Sequence, residues 1–317
     1  MHIFTIPECT ACATENLTLA DTLPACVGAQ ISQEEVAFTA SYGQIQPLLA
    51  GGLTAHGGHL QVLSGFSTFL ALKTAGFPQI ACWILSQEIA PASAFALRIL
   101  HNRQACLNSP ILQAWHLKEA QAQLPVQDLL PLLPLMGLKP QPHVLTERIS
   151  LLQADDVVQA ALHNQELHLK NLQHLMRLPQ EEQKRLIELI RQYRLGGSKQ
   201  QKLVDLVVDL YLREGCGIEE ILAKWRQRDP PKDNLPQETQ SLLGFLHCLA
   251  NPRIAQAEAH FNERLQRLQP PAQVSVFHTP AFEDEQVSVQ LCYSSWGSLQ
   301  AHWPQVLKAV ERENQDP

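Results

Sequence analysis

The residues best placed for chemistry lie in one stretch, His59-Leu60-Gln61-Val62-Leu63-Ser64-Gly65-Phe66-Ser67-Thr68-Phe69-Leu70-Ala71-Leu72, where a strand runs through a glycine straight into a helix. The first backbone N–H groups of such a helix have no partner within it, and the positive end of its dipole faces outward. A phosphate or another anion is the natural ligand of that arrangement. Gly65, Phe66, Ser67 and Thr68 are therefore the candidate anion-binding residues. The segment Gly43-Gln44-Ile45-Gln46-Pro47-Leu48-Leu49 precedes the stretch.

Other reactive side chains form weaker patterns. Cys9 and Cys12 have metal-ligand spacing, but no second pair follows. Of the thirteen histidines, His56 and His59 are three apart and His163 and His168 five apart, the latter with Glu166 between them, on different faces of a helix. These spacings give no metal site and no catalytic constellation. The acidic pairs Glu34-Glu35, Asp155-Asp156 and Glu181-Glu182 suit helix starts, and Glu283-Asp284-Glu285 suits a hairpin tip.

Alternation and punctuation position these groups. Strands are expected over Gln44–Leu49, Leu60–Leu63 and Gln79–Leu85, and helices over Phe66–Ala75, closed by Gly76, and Pro91–Leu100. Gly51-Gly52 and Gly57-Gly58 punctuate a hairpin. From Pro110 the pattern is helical, including Val157–Leu162, Leu169–Arg177, a helix begun by Leu178-Pro179-Gln180 and closed at Leu195-Gly196-Gly197, and another from Ser198. Arg226-Gln227-Arg228-Asp229-Pro230-Pro231-Lys232-Asp233 reads as a linker. A long helix ending near Leu268, strands Gln273–Phe277 and Gln286–Tyr293, and a final helix complete the chain.

The composition, 45% hydrophobic and 17% charged over 317 residues, suits a folded protein of two or three domains. A net charge of -7 excludes surface-wide attraction to nucleic acid or acidic lipid, so DNA contact would have to be weak and local. Residues 1–110 carry three bases, Lys73, Arg98 and Arg103, against six acids, while residues 151–200 carry seven bases against six acids. No run of about 18 apolar residues suggests a membrane span, and Met1-His2-Ile3-Phe4-Thr5-Ile6 lacks a signal-peptide pattern. The expected location is cytoplasmic, which suits eight scattered, reduced cysteines.

The order of these segments resembles the ParB/sulfiredoxin superfamily, in which Gly-Gln-Ile-Gln-Pro is followed by a strand and a Gly-Glu-Arg-Arg-x-Arg-Ala helix start. Gly65 and Ala71 keep the ends of that second motif, while Phe66, Ser67, Thr68 and Leu70 replace its acid and arginines. The family's Glu-Asn-x-x-Arg motif is similar to His101-Asn102-Arg103-Gln104-Ala105, with Arg103 two residues early. The resemblance implies an α/β N-terminal ParB/sulfiredoxin-like domain (1–110), an all-α helix-turn-helix-type domain (111–228) and a small α+β C-terminal module (229–317). Leu129–Leu138 and Val144–Leu152 occupy the place of the helix-turn-helix.

It further implies a nucleotide site of the CTP type with Mg²⁺, using Gln44, Gly65, Phe66, Ser67, Thr68, Asn102 and Arg103. DNA contacts are expected at Lys139, His143, Arg148 and Lys170, and a homodimer through Val287, Val289, Leu291, Tyr293, Trp296, Leu299 and Trp303, with Leu307 adjoining. The implied role is partition-type DNA binding, with a partition ATPase as partner and no membrane. Two alternatives stand beside it: an enzyme of the same fold, either a nucleotide-dependent small-molecule kinase or a nuclease, and a non-catalytic scaffold.

Overall fold

The computed structural model describes residues 9–28, 31–51, 59–85, 89–228, 234–279 and 286–313. His56, the glycines at 52, 57 and 58, the N-terminal Met1–Ile6, most of the expected linker and the acidic tip at 283–285 lie outside them. The described chain is mostly helical, with a mixed sheet at its N-terminal end. Its two compact units are 1–201 and 202–317.

The first unit opens with β1 (Cys9–Ala13), β2 (Leu17–Thr18), α1 (Ala25–Gly28) and α2 (Gln33–Tyr42), followed by β3 (Leu48–Gly51), β4 (Leu60–Ser64), α3 (Phe66–Thr74) and β5 (Gln79–Leu85). The five strands lie in the order β1-β5-β3-β4-β2; β3 is parallel to β5 and antiparallel to β4. β1 and β2 were not among the expected strands, because five residues and two residues without strict alternation give little periodic signal. The expected helix start at Glu34-Glu35 and helix end at Gly76 are realised: Ser32 and Glu35 form a reciprocal capping box, and Gly76 lies at φ +80° just past α3.

β3 begins at Leu48 rather than Gln44, for a traceable reason. Pro47 has no N–H for a ladder, and the Gln44 side chain takes the place of a strand backbone instead. Its Nε2 donates to the Ala81 carbonyl at 2.8 Å, and its Oε1 accepts from the Ala81 N–H at 2.7 Å. One amide thus satisfies both backbone groups of a β5 residue.

Next come α4 (Pro91–His101), α5 (Arg103–Asn108), α6 (Pro110–Gln121), α7 (Val126–Leu129), α8 (Pro142–Ser150), α9 (Asp156–His163), α10 (Leu172–Leu175), α11 (Gln180–Gln192) and α12 (Gly197–Glu214), the last running across the division between the units. α6 is buried on every side through Ile111, Leu112, Ala114, Trp115, Leu117 and Ala120. Its Leu112 and Trp115 share one core with Leu48, Val62, Phe66, Phe69 and Ile80 of the sheet layer and with Leu129, Leu133 and Leu145 beyond. The core is therefore continuous across residue 110. On the opposite face of the sheet, Leu49, Leu63 and Leu85 pack with Trp83, Ala94 and Leu97.

The first half of the expected helix-turn-helix is short. α7 gives way to a 3-10 turn over Leu130–Met136 that contains Pro131 and Pro134, and Gly137 ends it at φ +74°. Pro142 stands in the first turn of α8, where a missing N–H costs nothing. The continuous helix expected over Leu169–Arg177 is instead a 3-10 turn followed by α10. Gln200 supports this region from α12. Its Oε1 accepts from the His168 N–H and from Asn171 Nδ2, and its Nε2 donates to the carbonyls of Glu166 and Leu195.

The second unit holds α13 (Ile218–Arg228), α14 (Leu235–Ala250), α15 (Pro252–Leu268), β6 (Val274–His278), β7 (Val287–Leu291) and α16 (Trp296–Glu313). The long helix expected to end near Leu268 is thus two helices, broken at Asn251-Pro252. Trp225 Nε1 donates to Ser241 Oγ at 3.0 Å, and Arg213 Nη1 donates to the Ala250 carbonyl at the end of α14. No residue of α15 is fully buried.

Gly65 sits at φ +88°, and a Cβ there would lie 2.7 Å from Leu48 Cδ2. Gly65→Ala therefore combines left-handed strain with a clash inside the core. It is expected to cost about 2 kcal/mol, seen as a lower urea midpoint with an unchanged slope.

Candidate functional site

The fold brings the three expected segments together at the start of α3. Gly65 caps that helix in the left-handed conformation without a side-chain hydrogen bond. Ser67 is exposed and Thr68 half-exposed, whereas the Phe66 ring is buried edge-on to Trp115, with centroids 5.4 Å apart. The Gly65 carbonyl already accepts from the Phe69 N–H, the first bond of the helix.

Beside this turn, His101 joins the other two segments. Its Nδ1 lies 2.8 Å from Ser64 Oγ at the end of β4, and its Nε2 lies 3.2 Å from the Pro47 carbonyl. A carbonyl can only accept, so Nε2 carries the proton and Nδ1 accepts from the serine hydroxyl. Burial holds the imidazole below its ordinary pKa, opposed in part by the Pro47 bond. The ring also meets Trp83 edge-on at 5.4 Å. His101 is thus a neutral strut with both nitrogens occupied.

The other expected site residues take the following places in this geometry. Gln44 is committed to Ala81 and to the Gln46 carbonyl, so its amide is spent inside the fold. Phe66 offers only its backbone. Arg103 opens α5 as an exposed side chain. Asn102 sits between α4 and α5, and its Nδ2 is buried without a partner.

Among the expected DNA contacts, Lys139, His143 and Lys170 are exposed. Arg148 is partly withdrawn, and burial lowers its pKa, an effect that neighbouring Glu147 opposes. In the C-terminal unit, Val287, Val289, Trp296 and Trp303 are exposed, Trp296 by 73%. Leu291, Leu299 and Tyr293 are half-buried; Tyr293 faces His302 of α16 at 5.6 Å and its hydroxyl is buried without a partner. Tyr293 therefore packs within its own chain.

Two further polar arrangements escaped the sequence reading. Ser109, the N-cap of α6, accepts from the Leu112 N–H at 3.1 Å and meets His163 Nδ1 at 2.7 Å. The hydroxyl is buried, so this serine–histidine pair is a clasp between the start of α6 and the end of α9 rather than an exposed nucleophile. The other is Arg98 on α4, 7% exposed, with its guanidinium carbon 4.9 Å from the Phe95 centroid and 5.2 Å from that of Trp115. Next to Trp115 is His116, fully buried, with neither ring nitrogen hydrogen-bonded. Its pKa is driven well down by burial and by the Arg98 charge. Apolar spacing made α4 and α6 legible as helices, but nothing in it marks which polar residue turns inward.

No protein-family model matches the chain, and no curated protein matches it in sequence. Among solved structures it is similar to the chromosome-partitioning protein ParB from Caulobacter crescentus in two C-terminally truncated forms. The form complexed to the centromeric parS site matches over 62% of this chain and 98% of that chain, at 17% identity and a TM-score of 0.32. The form complexed with CTP-gamma-S matches over 58% and 99%, at 18% identity and a TM-score of 0.25. At these scores the similarity transfers neither ligand.

The buried histidines predict acid lability. A histidine whose folded pKa lies below its unfolded value adds stability that is complete above about 6.5 and drains away as pH falls toward the folded value. His101, His116 and His163 all shift downward, with burial as the leading cause. For His116 alone the slope below that point reaches about 1.4 kcal/mol per pH unit. Denaturant midpoints measured from pH 7.5 to 5.5 should fall, and His116→Leu should flatten the fall.

Proposed function

We propose that this chain is a self-associating, DNA-contacting protein of the ParB-like partition type that keeps the N-terminal fold as a scaffold and has given up nucleotide chemistry. The observation that carries the reading is the division of labour between its ends. At the N-terminal cleft the Gln44 and His101 side chains are spent on internal bonds, whereas at the C-terminal hairpin apolar side chains are left out in solvent.

The β6–β7 register supports the second half. Val276 stands opposite Val289 and His278 opposite Val287, and His278 meets Phe261 of α15 at 4.8 Å. That face of the hairpin therefore looks toward α15, yet Val289 remains 58% exposed. A groove of about 290 Å³ runs beneath it, lined by Phe261, Leu265, Leu268, Val276, Val289 and Val306. A two-stranded sheet cannot cover such a face alone, and its outer edges have no strand partner among the described residues. A second copy about a two-fold axis covers both, with Trp296, Trp303 and Leu307 at its margin.

For the N-terminal cleft, the backbone N–H groups of Phe66, Ser67 and Thr68 support weak anion contact only. A triphosphate clamp needs charged, bidentate donors, and Ser or Thr does not supply them. Kinase-type or nuclease-type chemistry fits less well, since His101 is fixed in a neutral, doubly bonded state. DNA contact rests on a small exposed set, Lys139, His143 and Lys170.

Three outcomes follow. Full-length protein should sediment as a dimer at micromolar concentration, and Val289→Lys should shift it to monomer; a wild-type monomer at tens of micromolar refutes self-association. Calorimetry with CTP and Mg²⁺ should give no saturable heat, and micromolar affinity would refute the loss of nucleotide binding. DNA affinity should fall with a slope of log affinity against log salt of only about −2 to −4, as two to four phosphate contacts require; nanomolar sequence-specific binding at physiological salt would contradict it.

A further inference from the structure

Arg98 poses a physical problem that the proposed function leaves untouched. Its side chain is 93% buried, being 7% exposed, and burial lowers its pKa only to about 10, so it stays charged at neutral pH. Desolvating a guanidinium costs several kcal/mol unless a counter-charge and hydrogen bonds repay it. Arg98 Nε has no hydrogen-bond partner. Glu119 attracts it electrostatically, but no ion pair joins the two. Contact with the rings of Phe95 and Trp115 favours the cation but does not satisfy the donors in the guanidinium plane.

The neighbouring orphans share its character. Asn102 Nδ2, four residues on from Arg98 and just past α4, is a buried donor without an acceptor. His116, on the adjoining α6, always presents one N–H, and neither of its nitrogens is bonded. Arg98 acts on both His116 and the buried thiol of Cys106 through space. The Arg98 guanidinium thus acts on the imidazole of His116, with Asn102 four residues on and Glu119 as the acid that attracts the guanidinium. Aliphatic packing would be cheaper here if nothing bound.

We propose that Arg98 is the centre of an oxyanion site, distinct from the start of α3, which takes a small carboxylate- or phosphate-bearing ligand side-on through Nε and the adjacent Nη. Side-on pairing gives two parallel charge-assisted bonds in the plane that the aromatic contacts leave unmet. Glu119 sets the competing charge, so its removal strengthens the site.

The test uses full-length protein labelled with ¹⁵N-arginine, titrated at constant ionic strength with formate and, separately, with inorganic phosphate. The Arg98 Nε–H resonance, assigned by its loss in Arg98→Lys, should move in a saturable way with at least one ligand, and the one that saturates first identifies the class. In Glu119→Gln the same curve should saturate at equal or lower concentration. Arg98→Lys keeps the charge but loses the Nε donor, so ligand-induced thermal stabilisation should weaken by about tenfold in half-saturating concentration. A resonance that moves only linearly with both ligands, in wild type and Glu119→Gln alike, overturns the proposal. So does one already shifted to its bound position without ligand and released by Glu119→Gln, because Glu119 would then be the partner.

Discussion

The burial of α6 on all sides is the constraint from which most of this structure follows. A helix that exposes no full face must be enclosed by both its neighbours in sequence and the sheet before it. Trp115 reaches back to Phe66 of α3 and to Thr22, while Gln113 donates to the carbonyls of Cys106 and Met136 on either side. Sheet and helical region are thereby one core. The cost is a set of polar residues carried inside with the helix, some paired, such as Ser109 with His163, and some not, such as His116.

The same economy shapes the cleft. Residues 1–110 hold three bases, and the Gln44 and His101 side chains there serve backbone groups. Gln44 completes an edge that Pro47 cannot, and His101 ties the end of β4 to the segment entering β3. Each bond is an ordinary one worth about 1 kcal/mol net. Breaking it to admit a ligand would leave the Ala81 or Pro47 backbone unpaired, and that penalty is larger than the bond itself.

Much of the fold was legible in the sequence because it depends on local rules. β5 spans Gln79–Leu85 as its apolar run requires, α3 starts after Gly65 and ends before Gly76, and the acidic pair Glu34-Glu35 lies in the first turn of α2. What was not legible depends on tertiary context. The first half of the expected helix-turn-helix is a 3-10 turn holding Pro131 and Pro134, and β1 and β2 are strands by virtue of their partners. At the site, the sequence placed Gln44, Gly65 and the His101-Asn102 pair in one neighbourhood. It could not say that Gln44 and His101 point inward, nor that Arg98, unremarkable on an amphipathic helix, would be the buried cation of the domain.

Gln44 and His101 of the cleft are occupied by the protein itself, and the tautomer of His101 reports on it directly. Long-range ¹H–¹⁵N correlation spectra at pH 7 should show His101 neutral, protonated on Nε2 and unprotonated on Nδ1, with the pattern unchanged when CTP and Mg²⁺ are added. A charged or Nδ1-protonated ring, or a saturable change of its nitrogen shifts on adding the nucleotide, would contradict the account.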